Sequence, residues 1–216
     1  MTSTIKPLPR VFAGCLLLMG PVLAIAETPS FEITPFIGAR FGGSFDVEND
    51  TTGATSSADL GSGTSYGIDV GLYKNAVGFY ELLYSTQETS LDVDVPELGD
   101  VDVRVDYLQI GGTAFFDQGQ RWLPYLSMTV GAAMLEPKQG DYDSETKFAM
   151  SLGGGLRFPF NERVAATLGL RAYLTFLSSD TDLFCVSTGE NAGCLVKSSG
   201  STFWQGEGQL GLTVRF

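Results

Sequence analysis

The chain contains no histidine. That absence removes the commonest general base, the Ser–His and Cys–His nucleophile pairs, and the commonest metal ligand. Bases are few as well: 13 Lys and Arg stand against 25 Asp and Glu, for a net charge of −12. Nucleic-acid binding needs a basic footprint, and this composition is the reverse. Charged residues make up only 18% of the chain. Even so, no apolar run beyond Ala26 reaches the ~18 residues of a membrane-spanning helix. What is abundant is glycine, 27 of 216 residues, with aromatics at 12%. Glycine and aromatics at that density suit many strands and tight turns.

Residues Met1 to Ala26 have the form of an export leader. Lys6 and Arg10 supply a basic start, Val11 to Ile25 an apolar stretch, and Ala24-Ile25-Ala26 a small-x-small cleavage site. Cleavage is expected after Ala26, leaving 27–216 as one domain. Phe12-Ala13-Gly14-Cys15 looks like a lipoprotein box, but Phe stands where Leu is usual and Cys15 lies inside the apolar stretch, so a lipid anchor is not expected. Export leads to an oxidising compartment, where Cys185 and Cys194 are expected to form a disulfide that shapes a loop.

Beyond Glu27 the dominant signal is a period of two. Strands are expected at Phe31–Gly43, Thr64–Tyr73, Val77–Thr89, Val101–Phe116, Arg121–Leu135, Thr146–Phe160, Arg163–Leu177 and Thr202–Phe216. The last shows the pattern well. Trp204, Gly206, Gly208, Leu210, Leu212, Val214 and Phe216 alternate with Phe203, Gln205, Glu207, Gln209, Gly211, Thr213 and Arg215, a mostly polar set. The links alternate between long segments (44–63, the acidic stretch before Val101, 136–145 and 178–201) and short turns at 74–76, 117–120 and 161–162. One segment breaks parity: Val101, Val103 and Val105 fall on the polar set, so that part either rises above a membrane or is reset by a bulge.

The terminal residues Gln209, Gly211, Val214 and Phe216 resemble the polar-x-Gly-x-x-apolar-x-aromatic signal that closes bacterial outer-membrane β-barrels. With the even strand number and the alternating links, the chain from 27 to 216 resembles the small OmpA-like outer-membrane β-barrel family. The resemblance implies an all-β fold, an eight-stranded antiparallel up-and-down transmembrane β-barrel in the outer membrane of a Gram-negative bacterium, with its first and last strands paired. It implies partners too: outer-membrane lipids and lipopolysaccharide, the barrel-assembly machinery reading the terminal signal, and a possible extracellular ligand of the loops. A monomer without cofactor is expected. Family members that modify lipid A or cut peptides lean on histidine, so no enzymatic activity is expected here. The leading reading is a structural or surface-interaction protein, and the alternative is a narrow channel or conduit for small solutes.

A soluble eight-stranded barrel such as a lipocalin would point its apolar face inward. The wet set argues against it. That set is rich in glycine (Gly38, Gly67, Gly71, Gly111, Gly131, Gly153, Gly155, Gly169, Gly211), which suits a crowded interior, and poor in Lys and Glu. Parity places Glu32, Arg40, Asp69, Glu81, Lys147, Arg157, Arg171, Glu207 and Arg215 in the lumen. Charges in so narrow a space must pair, since each isolated one would cost several kcal/mol of desolvation. Glu81, Arg157, Arg171 and Glu207 are expected to form the central layer. Most of the remaining acids fall in the long links. Asp92-x-Asp94 and Asp141-x-Asp143-x-Glu145 offer the oxygens that Ca²⁺ or Mg²⁺ prefers, without EF-hand spacing. No dedicated metal site is expected, and the acidic links read first as a solvated face.

Overall fold

The computed structural model describes residues 30–48, 55–75, 77–93, 101–116, 121–138, 144–177, 181–188, 191–198 and 202–216. They form twelve strands: β1 (Phe31–Gly42), β2 (Ser44–Glu48), β3 (Thr55–Leu60), β4 (Gly63–Asn75), β5 (Gly78–Val93), β6 (Val101–Phe115), β7 (Leu123–Pro137), β8 (Glu145–Pro159), β9 (Val164–Phe176), β10 (Thr181–Thr188), β11 (Asn191–Ser198) and β12 (Thr202–Arg215). No helix occurs among the described residues. The leader and the carboxylates Asp94, Asp141 and Asp143 lie outside them.

Eight strands build the wall. β1, β4, β5, β6, β7, β8, β9 and β12 each pair antiparallel with the next, and β12 pairs back onto β1, so the sheet closes. The wall is inside out relative to a soluble protein. Leu170 (71% exposed), Ile110 (63%) and Leu210 (57%) point outward, whereas Glu32, Arg40 and Glu207 (each 1%) are buried within. Apolar-out and polar-in is the arrangement a bilayer selects, and it excludes the lipocalin alternative.

The other four strands are an addition to the expected architecture. The segment 44–63, expected to be a loop, forms the hairpin β2–β3, and 178–201 carries the hairpin β10–β11. β3 pairs with the far end of β5 through Ala58↔Val93 and Leu60↔Leu91, and β11 pairs with β2. The reason is the backbone. β5 continues past the wall and offers unpaired N–H and C=O groups, and a Gly-, Ser- and Thr-rich segment satisfies them without an apolar alternation. Gly42 and Gly43, with φ of 84° and 109°, turn the chain from β1 into β2 in a conformation few other residues adopt.

Strand β6 also resolves its parity break. Its register runs uninterrupted from Leu91↔Val101 to Gly78↔Ala114 against β5, and from Val103↔Pro137 to Phe115↔Tyr125 against β7. No bulge resets it. Val103 (1% exposed) and Val105 (0%) keep the inward direction and make the lumen apolar at that level.

The closing seam runs from Glu32↔Arg215 to Gly42↔Gln205. At its end the Phe216 amide donates to the Phe31 carbonyl at 2.8 Å, and the two rings stack at 4.8 Å. Gly211 leaves room for a tight approach, since a Cβ there would come within 2.6 Å of Thr167 Oγ1 and 2.9 Å of Thr34 Cγ2. Phe216→Ala removes a stacked ring at the seam. It should lower the stability of the folded barrel by about 1 kcal/mol, read as a shifted urea midpoint in heat-modifiability gels.

Candidate functional site in the barrel lumen

The inward positions of the wall place polar side chains from distant strands in a narrow bore. Three buried ion pairs follow one another from the turn end towards the loop end. Nearest the turns, the Arg157 guanidinium forks onto Glu32, with Nη2 2.6 Å from Oε1 and Nη1 2.9 Å from Oε2. The Tyr73 hydroxyl donates to the same carboxylate at 2.6 Å. The guanidinium also lies 4.5 Å from the Phe115 ring centroid. A planar fork on a carboxylate with an aromatic face beside it is what Arg supplies and Lys does not.

In the middle, Arg171 Nη2 donates to Glu81 Oε1 at 2.6 Å, and Nη1 donates to Ser151 Oγ at 3.0 Å. Thr113 donates its hydroxyl to the other oxygen of Glu81. Asp69 stands beside both Glu81 and Arg171. Its Oδ1 makes no hydrogen bond to any described residue. Towards the loops, Arg40 Nη2 lies 3.0 Å from Glu207 Oε2, and both side chains are fully buried. Ser65 donates to Glu207 Oε1 at 2.8 Å, and Arg40 also donates to Ser85 Oγ and to the Val105 carbonyl.

Above this last pair the bore becomes apolar. The Arg40 guanidinium sits 5.0 Å from the Tyr107 ring centroid and 4.9 Å from that of Tyr173, and those rings stack at 4.2 Å. Leu60, Val103, Val105, Leu135, Leu177 and Phe203 pack over them as one buried cluster. Tyr107 donates to Gln205 Oε1 at 2.9 Å, which satisfies its own hydroxyl.

The nine residues assigned to the lumen by parity therefore separate. Glu32, Arg40, Glu81, Arg157, Arg171 and Glu207 form the three pairs, and Asp69 joins the middle one. Lys147 instead pairs with Glu145 on its own strand at 2.9 Å. Arg215 is exposed at the turn end, with its guanidinium carbon 4.0 Å from the Tyr73 ring centroid. Glu81, Arg157, Arg171 and Glu207 do not make a single layer. They are divided among three pairs, because tilted strands stagger residues that share a mid-strand position. Sequence reasoning missed the hydroxyl partners Ser65, Ser85, Thr113 and Ser151 and the apolar layer. Their inward parity was visible, but parity does not say which opposing strand a side chain meets.

The comparisons with known proteins agree with this geometry. The profile described as "Outer membrane protein beta-barrel domain" matches residues 12–216. The chain belongs to this family. No curated protein matches its sequence. Among solved structures it is similar to Neisserial surface protein A at 14% identity, covering 88% of this chain and 100% of that one with a TM-score of 0.59. It is similar to the outer membrane protein OprG from Pseudomonas aeruginosa at 14% identity, over 88% and 97% with a TM-score of 0.58. The outer membrane protein AlkL, solved in DMPC bilayers, is also 14% identical, over 99% and 97% with a TM-score of 0.59. At that identity the likeness is one of fold. The outer-membrane barrel protein thus shares a wall with these neighbours, while its lumen contents are argued from its own residues.

Removing Glu207 leaves the Arg40 guanidinium buried without its carboxylate. Glu207→Ala should cost about 3–5 kcal/mol in urea unfolding, whereas the double variant Arg40→Met with Glu207→Met should cost much less. The middle pair is a poorer probe, because a second carboxyl, Asp69, lies beside both Glu81 and Arg171.

Proposed function

We propose that this protein is a closed, non-conducting outer-membrane barrel with a structural and surface-interaction role in a Gram-negative bacterium, exported with a leader removed after Ala26. The observation that carries the reading is the filled bore. Beside Asp69, Arg157, Arg171 and Gln209 an internal cavity measures about 30 Å³, the scale of a water molecule. A solute passing through would have to part ion pairs buried in a low-dielectric space and then cross the apolar layer under Leu60 and Phe203. Neither demand suits a conduit.

The surface role rests on the loop end. The hairpins β2–β3 and β10–β11 continue the sheet beyond the wall through β3–β5 and β11–β2 pairing. A platform of paired strands presents a contact surface at lower ordering cost than an unstructured loop. Its ligand would be met outside the cell, with lipopolysaccharide surrounding the wall below. Gln209, Gly211, Val214 and Phe216 serve as the address read by the assembly machinery. In the folded barrel Gln209 and Gly211 face inward, and Phe216 closes the seam. No catalytic step enters this reading.

In planar bilayers the folded protein should give no unitary current at physiological salt. Steady openings would transfer the assignment to a narrow conduit. The platform carries a second expectation. Backbone pairing places Cys185 directly opposite Cys194 in β10–β11, and antiparallel partners lie about 4.5–5.5 Å apart at Cα, within the range of a disulfide. Protein isolated under non-reducing conditions should weigh two hydrogens less than the reduced form, and resist thiol labelling at both positions.

A further inference from the structure

The two ends of the barrel differ in charge. At the turn end Lys74, Arg121, Arg163 and Arg215 are exposed, and Glu162 is the exposed acid among the described residues there. On the outer wall above this basic collar, an apolar groove of about 560 Å³ runs between β5, β6 and β7. Small outward residues make its floor. Gly78 lies opposite Ala114, and Gly112 lies between Tyr80 and Met128 in register. Tyr80, Leu126 and Met128 make its sides, and Lys74 stands at its turn-end rim, with Nζ 5.7 Å from the Tyr80 ring centroid. Among the described residues no carboxylate is within ion-pair distance of Lys74.

A second groove of similar volume lies on the wall between β8, β9, β12 and β1, lined by Ile37, Leu168, Leu170 and Leu210. Its lining holds no charged side chain. Any acyl chain satisfies an apolar groove in a bilayer, because one lipid tail there replaces another. Selectivity must come from the rim. A lysine at headgroup depth, next to an aromatic ring and set in a basic collar, favours a lipid of net negative charge over a zwitterionic one.

We infer that the β5–β7 groove is a binding site for an anionic phospholipid of the turn-side leaflet, with an acyl chain along Gly78, Gly112 and Ala114 and its phosphate against Lys74. The inference rests on the membrane-barrel reading above and adds a ligand to it. Lys74 supplies the charge, Tyr80 holds the lysine stem at the rim, and the small residues set the depth.

The chain has two tryptophans, Trp122 and Trp204. Trp122 is exposed at the turn end and shares the outward parity of Leu126, so it reports on this part of the wall. The full-length folded protein carrying Trp204→Phe would be placed in phosphatidylcholine vesicles with a small, equal fraction of either phosphatidylglycerol or phosphatidylcholine bearing brominated chains. The expected result is quenching by the brominated phosphatidylglycerol as though it were enriched about five-fold beside Trp122, the weight of one basic side chain near an anionic headgroup. Lys74→Glu should abolish the preference, and Ala114→Leu, which fills the groove, should reduce it. Equal quenching by the two lipids, or a preference that survives Lys74→Glu, would overturn the site. Quenching by neither lipid would instead overturn the membrane-barrel reading on which the site depends.

Discussion

Backbone hydrogen bonding in a medium without water governs this molecule. Each N–H and C=O that crosses a bilayer must find a partner within the protein, so a sheet in lipid has to close. Closure here is made by β1 and β12, from Glu32↔Arg215 to Gly42↔Gln205. The rest follows from it. A closed wall of eight strands leaves one face for lipid and one narrow bore, and the bore is only as wide as the side chains that fill it. The apolar set of each strand is then outside and the polar set inside, the reverse of a soluble core.

What fills the bore is shaped by the cost of burying charge. Isolated guanidinium and carboxylate groups would each lose several kcal/mol of hydration there, and pairing recovers that loss without much surplus. The three pairs are therefore better seen as registration devices than as sources of stability. Arg40 and Glu207 face each other directly across the closing seam of β1 and β12, and the other two pairs join strands that are not neighbours. Arg157 on β8 reaches Glu32 on β1, and Arg171 on β9 reaches Glu81 on β5 across the lumen. Glycines give these groups their space. A Cβ at Gly38 would lie 2.5 Å from Ser65 Oγ and 2.7 Å from Glu207 Oε1, and one at Gly153 would lie 2.6 Å from Ser127 Oγ and 3.3 Å from Arg171 Nε. The glycine-rich wet face and the bulky charged residues are two halves of one packing solution.

Beyond the wall the constraint changes. At the loop end water is present, so strands no longer need an apolar face. Pairing spreads from β5 to β3, then β2, β11 and β10. Two charge networks mark the outer side of this transition: Arg104 with Asp106 and Glu136, and Lys138 with Glu88. At the turn end the chain stays tight and basic. The contrast gives the molecule a direction, with an acidic, elaborated end and a basic, short one.

The sequence by itself determined the wall. Period-two alternation from Phe31 to Phe216 located the eight spanning strands, their inward and outward faces, the alternation of long and short links, and the closing pair. These properties are local or follow from one global requirement, that no backbone group be left unpaired in lipid. Only the tertiary structure decided how the interior is partnered. Parity says that Arg40 and Glu207 point inward, but strand tilt and stagger set which carboxylate each arginine meets, and they separated Arg157 from Arg171. The same held for Val103 and Val105, whose apolar character looked like a fault in β6 until the lumen around Tyr107 and Phe203 proved apolar at that level. The hairpins β2–β3 and β10–β11 were illegible for a further reason. They are held by backbone pairing to an existing edge, and backbone pairing leaves little trace in the choice of side chains.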